Sequence, residues 1–307
     1  MEAVLTTGGM FTQEIYREII RTICRVFGCV EEDISELKPV QEGMTNIVLS
    51  FWYNGGRYIY RHPGLGADNL VDRGRESMMQ KVVEDAGIDT TLVAMSVPEG
   101  WRISRYIENR KFEYHDLNDM VRAIMLLRKL HDSPAKVRWD FDVIRMAEEV
   151  KEKIRPEYYG TFEDFEGIRE RVYALNELTG TDGICWCNVH GDARDVNFLI
   201  NEEEIYLIDW EYAGYADPGF DIGSYICGGD HSREEVDRIL FIYFGREPKA
   251  HERRHFYAYI AITGWFYMHW TMYKESCGQV VGIHRKQWHF FAREYSRLAL
   301  ELYKETT

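Results

Sequence analysis

The chain has 307 residues, 45% hydrophobic and 29% charged, with 51 acidic against 37 basic side chains and a formal charge of −14. That composition is ordinary for a soluble globular protein, and the length suffices for two lobes with substantial cores. With no cluster of lysine and arginine, it argues against nucleic acid and anionic membrane surfaces as partners and leaves a cationic small molecule compatible.

Phe11, Ile15, Ile19, Ile23 and Phe27 recur every four residues, which predicts an amphipathic helix over 11–27. Ile47–Tyr53 and Arg57–Arg61 read as strands joined by the turn Asn54-Gly55-Gly56. A helix follows over 72–86, carrying Glu76 and burying Met79, Val82, Val83 and Ala86. Thr91–Met95 and Trp101–Ile107 read as two more strands, separated by Pro98-Glu99-Gly100. Beyond about residue 107 the chain becomes mainly helical. Leu117, Met120, Val121, Ile124, Leu127 and Leu130 form one apolar face ending at His131-Asp132-Ser133-Pro134, a helix stop. Charged helices are expected over 142–155 and 163–178, and further helices near 232–244, 252–275 and 284–304. The run Phe256–Tyr273 has no Asp, Glu, Lys or Arg, but it is short for a membrane span and rich in aromatic residues, so it reads as a buried helix.

Six scattered cysteines show no disulfide framework, and Cys185-Trp186-Cys187 lacks the second pair a zinc knuckle needs. The N-terminus shows no basic region followed by an apolar stretch, so no signal peptide is expected, nor any membrane insertion. The expectation is a cytoplasmic chain with reduced thiols.

The chemistry concentrates in 190–221, VHGDARDVNFLINEEEIYLIDWEYAGYADPGFD with its leading Val189. Phe198–Ile200 and Ile205–Ile208 read as a hairpin around the polar turn 201–204, which returns Asp209 to the side of Asn197. An amide oxygen and a carboxylate facing one point are hard ligands suited to Mg²⁺, which lets substrate phosphates complete its shell. Asp192 is then left to accept the proton of an attacking hydroxyl. These are the parts phosphoryl transfer asks of a protein: metal, positioning and a base.

On His190-Gly191-Asp192 with Asn197 five residues later, then Ile208-Asp209-Trp210-Glu211-Tyr212-Ala213 and Asp217-Pro218-Gly219-Phe220-Asp221, the chain resembles the kinase-like phosphotransferases of small molecules. Within that superfamily, which holds aminoglycoside phosphotransferases, it looks most like the choline/ethanolamine kinases of the bacterial LicA type. Only 11 residues lie between Asp209 and Asp221, too few for a protein kinase's activation segment. The resemblance implies an α+β, bilobal protein-kinase-like fold. An antiparallel-sheet lobe over 1–107 would bind nucleotide, and a larger, mostly helical lobe over 108–307 would hold the catalytic residues and the acceptor.

It implies ATP as co-substrate with Mg²⁺, and phosphorylation of a small amino alcohol, choline first. An aminoglycoside or related acceptor is the alternative, and a catalytically silent nucleotide-binding module a further one. The implied roles are Asp192 as base, Arg194 at the γ-phosphate, and Asn197 and Asp209 as metal ligands. His190 and Asp221 would brace the loop. Glu42–Asn46 stands where such lobes cover the phosphates, so Asn46 joins Arg61, its partner Glu76, and Ser104 and Tyr106 of the inter-lobe connector as nucleotide-binding residues. Tyr267, Trp270 and Tyr273 occupy the helix where choline kinases show Trp-x-x-Trp, and with Tyr212 they form the expected cation–π wall for the acceptor. Eukaryotic members carry a Glu seven residues after the bracing Asp, against the substrate ammonium; Gly228 stands there in this chain, with Asp230 two residues further on.

Overall fold

The structure, a computed structural model, describes residues 4–6, 9–40, 47–63 and 72–305. The expected phosphate loop with Asn46 lies outside the described residues. The chain divides into two compact units, Met1–Asn109 and Arg110–Thr307.

The first unit is built on a five-stranded antiparallel sheet. Its strands follow a short hairpin of β1 (Val4–Thr6) and β2 (Gly9–Phe11), and are β3 (Ile34–Pro39), β4 (Ile47–Tyr53), β5 (Gly56–His62), β6 (Leu92–Met95) and β7 (Arg102–Arg105), in the order β3-β4-β5-β7-β6. Asn54 at φ 46° and Gly55 at φ 77° make the two-residue turn that matches the strand twist and pairs Tyr53 with Gly56. Helix α1 (Gln13–Phe27) starts where Thr12 Oγ1 accepts from Ile15 N, and it buries Ile19 and Ile23 against Leu49, Phe51 and Tyr60 of the sheet. Helix α2 (Arg73–Asp85) is capped by Asp72, whose side chain accepts from Gly74 N and Arg75 N, and buries Met79, Val83 and Glu76. Within this unit β5 and β7 pair Arg61 directly with Arg102, so two guanidiniums leave neighbouring strands on one face.

The second unit is organised around α8 (Ala250–Ser276), the helix expected to be buried, and nearly all its side chains from His255 to Met272 are buried. Around it pack α4 (Val143–Lys151), α5 (Phe165–Thr179), α6 (Gly219–Gly228) and α9 (His284–Glu305), while α3 (Leu117–His131) packs on α7 (Arg233–Phe244). Helix α4 stops at Lys151, short of the expected 155. Turn-like bonds Lys153 N to Val150 O and Ile154 N to Lys151 O take over, because Pro156 disfavours helical backbone at the residue before it. Among the described residues no helix is long and apolar enough to cross a membrane.

Two short ladders in this unit carry the candidate site. Strand β8 (Cys187–Val189) pairs antiparallel with β11 (Gly214–Ala216), and β9 (Phe198–Ile200) with β10 (Ile205–Leu207). Leu207 faces Phe198, and the ladder runs one step further as Ile208 N donates to Asn197 O at 3.0 Å.

Candidate active site

Strand β8 delivers the chain to His190, and the loop after it is held from both sides. Buried Asp221, in the first turn of α6, accepts from Gly191 N at 2.9 Å through Oδ1 and from His190 N at 2.7 Å through Oδ2. Its Oδ2 also meets His131 Nε2 at 3.1 Å, and His131 Nδ1 reaches the Tyr243 hydroxyl at 2.8 Å. One carboxylate thus ties the loop to the ends of two helices. His190 Nδ1 accepts from Asp192 N at 3.1 Å, so the ring proton sits on Nε2, which donates to Ile208 O at 2.8 Å. The imidazole therefore bonds the loop to the hairpin that carries Asn197 and Asp209.

Gly191 has φ 85°, and a Cβ there would lie 3.0 Å from Tyr212 C and 3.1 Å from Tyr212 Cβ, with the carbonyl oxygen nearer still. The loop passes so close to Tyr212 that only glycine fits.

Asp192 is not left free. Its side chain keeps 17% exposure, and Arg194 grips it with Nε on Oδ1 at 2.5 Å and Nη2 on Oδ2 at 2.9 Å. Asn197 Nδ2 donates to Asp192 O at 2.7 Å and to Oδ2 at 3.1 Å, and the Tyr267 hydroxyl reaches Oδ1 at 3.3 Å. Burial alone would raise the Asp192 pKa, but the Arg194 guanidinium outweighs it, with His190 and Asn197 adding to the effect, and the carboxyl is held below its ordinary value. It is a carboxylate at neutral pH. Tyr267 is shifted well upward by burial and by the Asp192 charge, so it remains a donor, and Ser224 Oγ lies 2.6 Å from its hydroxyl.

Both Asn197 amide protons point at Asp192, which leaves Oδ1 as the atom able to bind a cation. Asp209 follows Ile208 directly and has φ 71°, one of three positive-φ residues other than glycine among the described residues. Such backbone costs on the order of 1–3 kcal/mol and collects where function requires it. The Tyr212 hydroxyl is pushed upward by burial first, then by the charges of Glu211, Asp192 and Asp209. Asn197 and Asp209 are hard oxygen donors of the kind Mg²⁺ takes.

Of the expected acceptor residues, Tyr267 touches Asp192 and Tyr212 packs against the loop at Gly191. Trp270 and Tyr273, one turn or more along α8, pack on each other with ring centres 5.7 Å apart, and Lys274 Nζ stands 4.6 Å over the indole.

In the first unit Arg61 and Glu76 do pair, Nη2 on Oε1. Glu76 also takes Arg73 Nη1 on Oε2 at 2.8 Å, and Arg102 Nη1 stands 3.8 Å away. Burial raises the Glu76 pKa, yet Arg61 and Arg73 outweigh it and hold the carboxyl below its ordinary value. Ser104 Oγ accepts from Arg102 Nε at 3.0 Å, and Tyr106 lies under the Arg57 guanidinium at 3.8 Å while its N–H donates to Arg57 O. Reading the sequence missed Arg73, Arg102 and Tyr114. Arg73 had a signal, standing three residues before Glu76 on one helix face. Arg102 reaches Glu76 only through strand pairing. Tyr114, whose hydroxyl accepts from Asp195 N at 2.8 Å, had no local signal at all. That hydroxyl also fills the space beside Gly228, where a Cβ would overlap it.

A sheet-based unit with a buried Arg–Glu pair, and a helical unit with an Asp–Asn–Asp constellation on a loop and hairpin, define a small-molecule phosphotransferase of the kinase-like superfamily. The sequence profile of the choline/ethanolamine kinases matches residues 37–262, and the chain belongs to that family. LicA of Haemophilus influenzae is 24% identical over 260 residues, 78% of this chain and 74% of LicA. The choline kinase LicA of Streptococcus pneumoniae superposes with a TM-score of 0.76 at 20% identity, covering 93% of this chain and all of that one. A Plasmodium vivax ethanolamine kinase superposes at 0.71 with 14% identity, covering 95% and 90%.

Proposed function

We propose that the chain transfers the γ-phosphoryl group of ATP to the hydroxyl of choline in the cytoplasm. The observation that carries the reading is the Asp192 carboxylate, kept ionised inside the loop and fixed by Arg194, Asn197 and Tyr267. The acceptor oxygen bonds to the γ-phosphorus as the bond to the ADP oxygen breaks, and its proton passes to Asp192. Asn197 and Asp209 would hold Mg²⁺, which would supply charge neutralisation on the phosphates. Arg194, which pairs with Asp192, is the cation we assign to the γ-phosphate and would trade one partner for the other. His190 and Asp221 position the loop.

Arg61, oriented by Glu76, holds nucleotide phosphates, with Asn46, Ser104 and Tyr106 completing the nucleotide residues. Tyr212 and Tyr267 form the acceptor wall nearest the base, and Trp270 and Tyr273 extend it. Rings favour a trimethylammonium over a primary ammonium, whose desolvation calls for hydrogen-bond acceptors. Choline is therefore placed before ethanolamine and before a polycationic aminoglycoside. Six free cysteines support a reducing compartment.

The test is ADP release with choline, ethanolamine and kanamycin as acceptors, on wild type and Asp192→Asn. Choline should give the highest kcat/KM, and the variant should lose about 10²–10⁴ in kcat at unchanged ATP affinity. Undiminished turnover removes Asp192 from the chemistry, and a preference for kanamycin overturns the acceptor.

A further inference from the structure

A second cluster of ligating side chains, sharing no residue with the Asp192 site, draws on the segment leading into α3, the turn between α6 and α7, and the first turn of α7. His115, His231 and Glu235 each bring one donor atom within 4.8 Å of the other two. His115 Nδ1 lies 2.7 Å from Glu235 Oε1, and the rings of His115 and His231 are 5.3 Å apart. Glu235 is already fixed, since its Oε2 accepts from Ser232 N at 2.8 Å in the capping box of α7.

The second observation is independent of this proximity. His231 is 4% exposed, its ring stacked on Tyr225 and edge-on to Tyr114, and neither ring nitrogen has a hydrogen-bond partner among the described residues. A buried imidazole in a folded protein ordinarily spends both nitrogens, because a buried polar atom without a partner loses its hydration and gains nothing in return. Glu235 supplies the carboxylate beside the two rings.

We infer that His115, His231 and Glu235 form a binding site for a divalent transition-metal ion of the zinc class. Two imidazoles and one carboxylate, with a water completing the shell, form a donor set that zinc accepts at bond lengths of about 2.0–2.2 Å, with neighbouring ligands about 3.4 Å apart. Closing a 4.8 Å spread to that value needs a shift of about an ångström, which the exposed His115 side chain can make by rotation. Nitrogen donors separate this site from the all-oxygen Asn197–Asp209 pair, which suits Mg²⁺ instead. An ion there would clamp the turn after α6 to the segment holding Tyr114, whose hydroxyl supports the backbone at Asp195.

The test uses the full chain, stripped with chelator and kept in excess Mg²⁺, titrated with Co²⁺ and Zn²⁺. One Co²⁺ per chain should bind with the intense bands of tetrahedral coordination and no thiolate charge-transfer band. Zn²⁺ should compete for the site and raise the melting temperature by roughly 5 °C or more at a hundredfold excess over Kd. His115→Ala, an exposed change, should lose the bands and weaken Zn²⁺ at least tenfold while melting like wild type without metal. Glu235→Gln, which keeps an acceptor for Ser232 N, should weaken Zn²⁺ as well. No stoichiometric uptake, a thiolate band, or the same spectrum and affinity in His115→Ala and His231→Gln would each overturn the site.

Discussion

Replacing Gly191 with alanine would test how tightly the loop before Asp192 is set. At φ 85° an L-residue loses about 1–2 kcal/mol. The added methyl would meet Tyr212 C at 3.0 Å and Tyr212 Cβ at 3.1 Å, backbone that Ala213 and the β8–β11 ladder hold in place, and overpacking of that kind costs about 1–3 kcal/mol. The two together come to about 2–5 kcal/mol, which for a unit of this size lowers the melting temperature by roughly 5–15 °C. The loop has one way to relieve the contact, which is to back away from Tyr212. It then loosens the 2.7 and 2.9 Å bonds from His190 N and Gly191 N to Asp221 and carries Asp192 with it. A misplacement near an ångström costs about 10²-fold in rate. Circular dichroism melts and coupled ADP release on Gly191→Ala would read both effects. A variant that melts within about 1 °C of wild type and turns over within about twofold would refute the reasoning, since neither strain nor contact would then be real.

Three further outcomes follow from the same geometry. Glu76→Gln leaves Arg61 and Arg73 around an uncharged amide, and should cost about 3–5 kcal/mol in urea unfolding and raise the KM for ATP; unchanged values would show the carboxylate to be dispensable. His255, 1% exposed, lies 3.2 Å from Asp182 and 3.0 Å from Asp217, and these carboxylates outweigh burial and raise its pKa from 6.5 to about 9. Because the folded value is the higher, its contribution of about 3 kcal/mol is full below pH 6.5 and lost as pH rises through about 9. Wild type should therefore melt progressively lower across that interval and His255→Asn should not, and parallel profiles would contradict this. Trp270→Ala should raise the KM for choline about tenfold and leave that for ATP alone; an unchanged choline KM would make Trp270 a packing residue of the Tyr273–Lys274 cluster.

How much could be read from the sequence followed from how local each cause was. The Asn197–Asp209 hairpin was readable because two apolar runs flank one polar turn, and strand pairing then leaves little freedom. The Arg61–Glu76 pair was readable only through the resemblance to the family, since the patterning of a strand and a helix does not say which of their residues meet. Helix α6 was not read as a helix: Gly219, Gly223 and Gly228 give it poor propensity, and what makes it helical is the burial of Gly219 through Cys227, packed on α8. The β8–β11 ladder joins three-residue strands far apart in sequence, too short for any periodicity to register. Arg194 was expected at a phosphate, and the structure pairs it with Asp192, two residues away on extended backbone.

The filled space beside Gly228 constrains the order in which this chain can change. A side chain at 228 would overlap the Tyr114 hydroxyl, and that hydroxyl also supports the backbone at Asp195. A glutamate at 228, the residue of the eukaryotic members, is therefore closed to any single step while the phenol remains. Tyr114 must shrink first, and the intermediate then lacks both the phenol's support under Asp195 and the new carboxylate. The two positions form a genetic lock in which the first of the two steps is the damaging one. A screen that saturates position 228 alone would return little besides glycine, and glutamate should emerge only from a library that varies 114 alongside it.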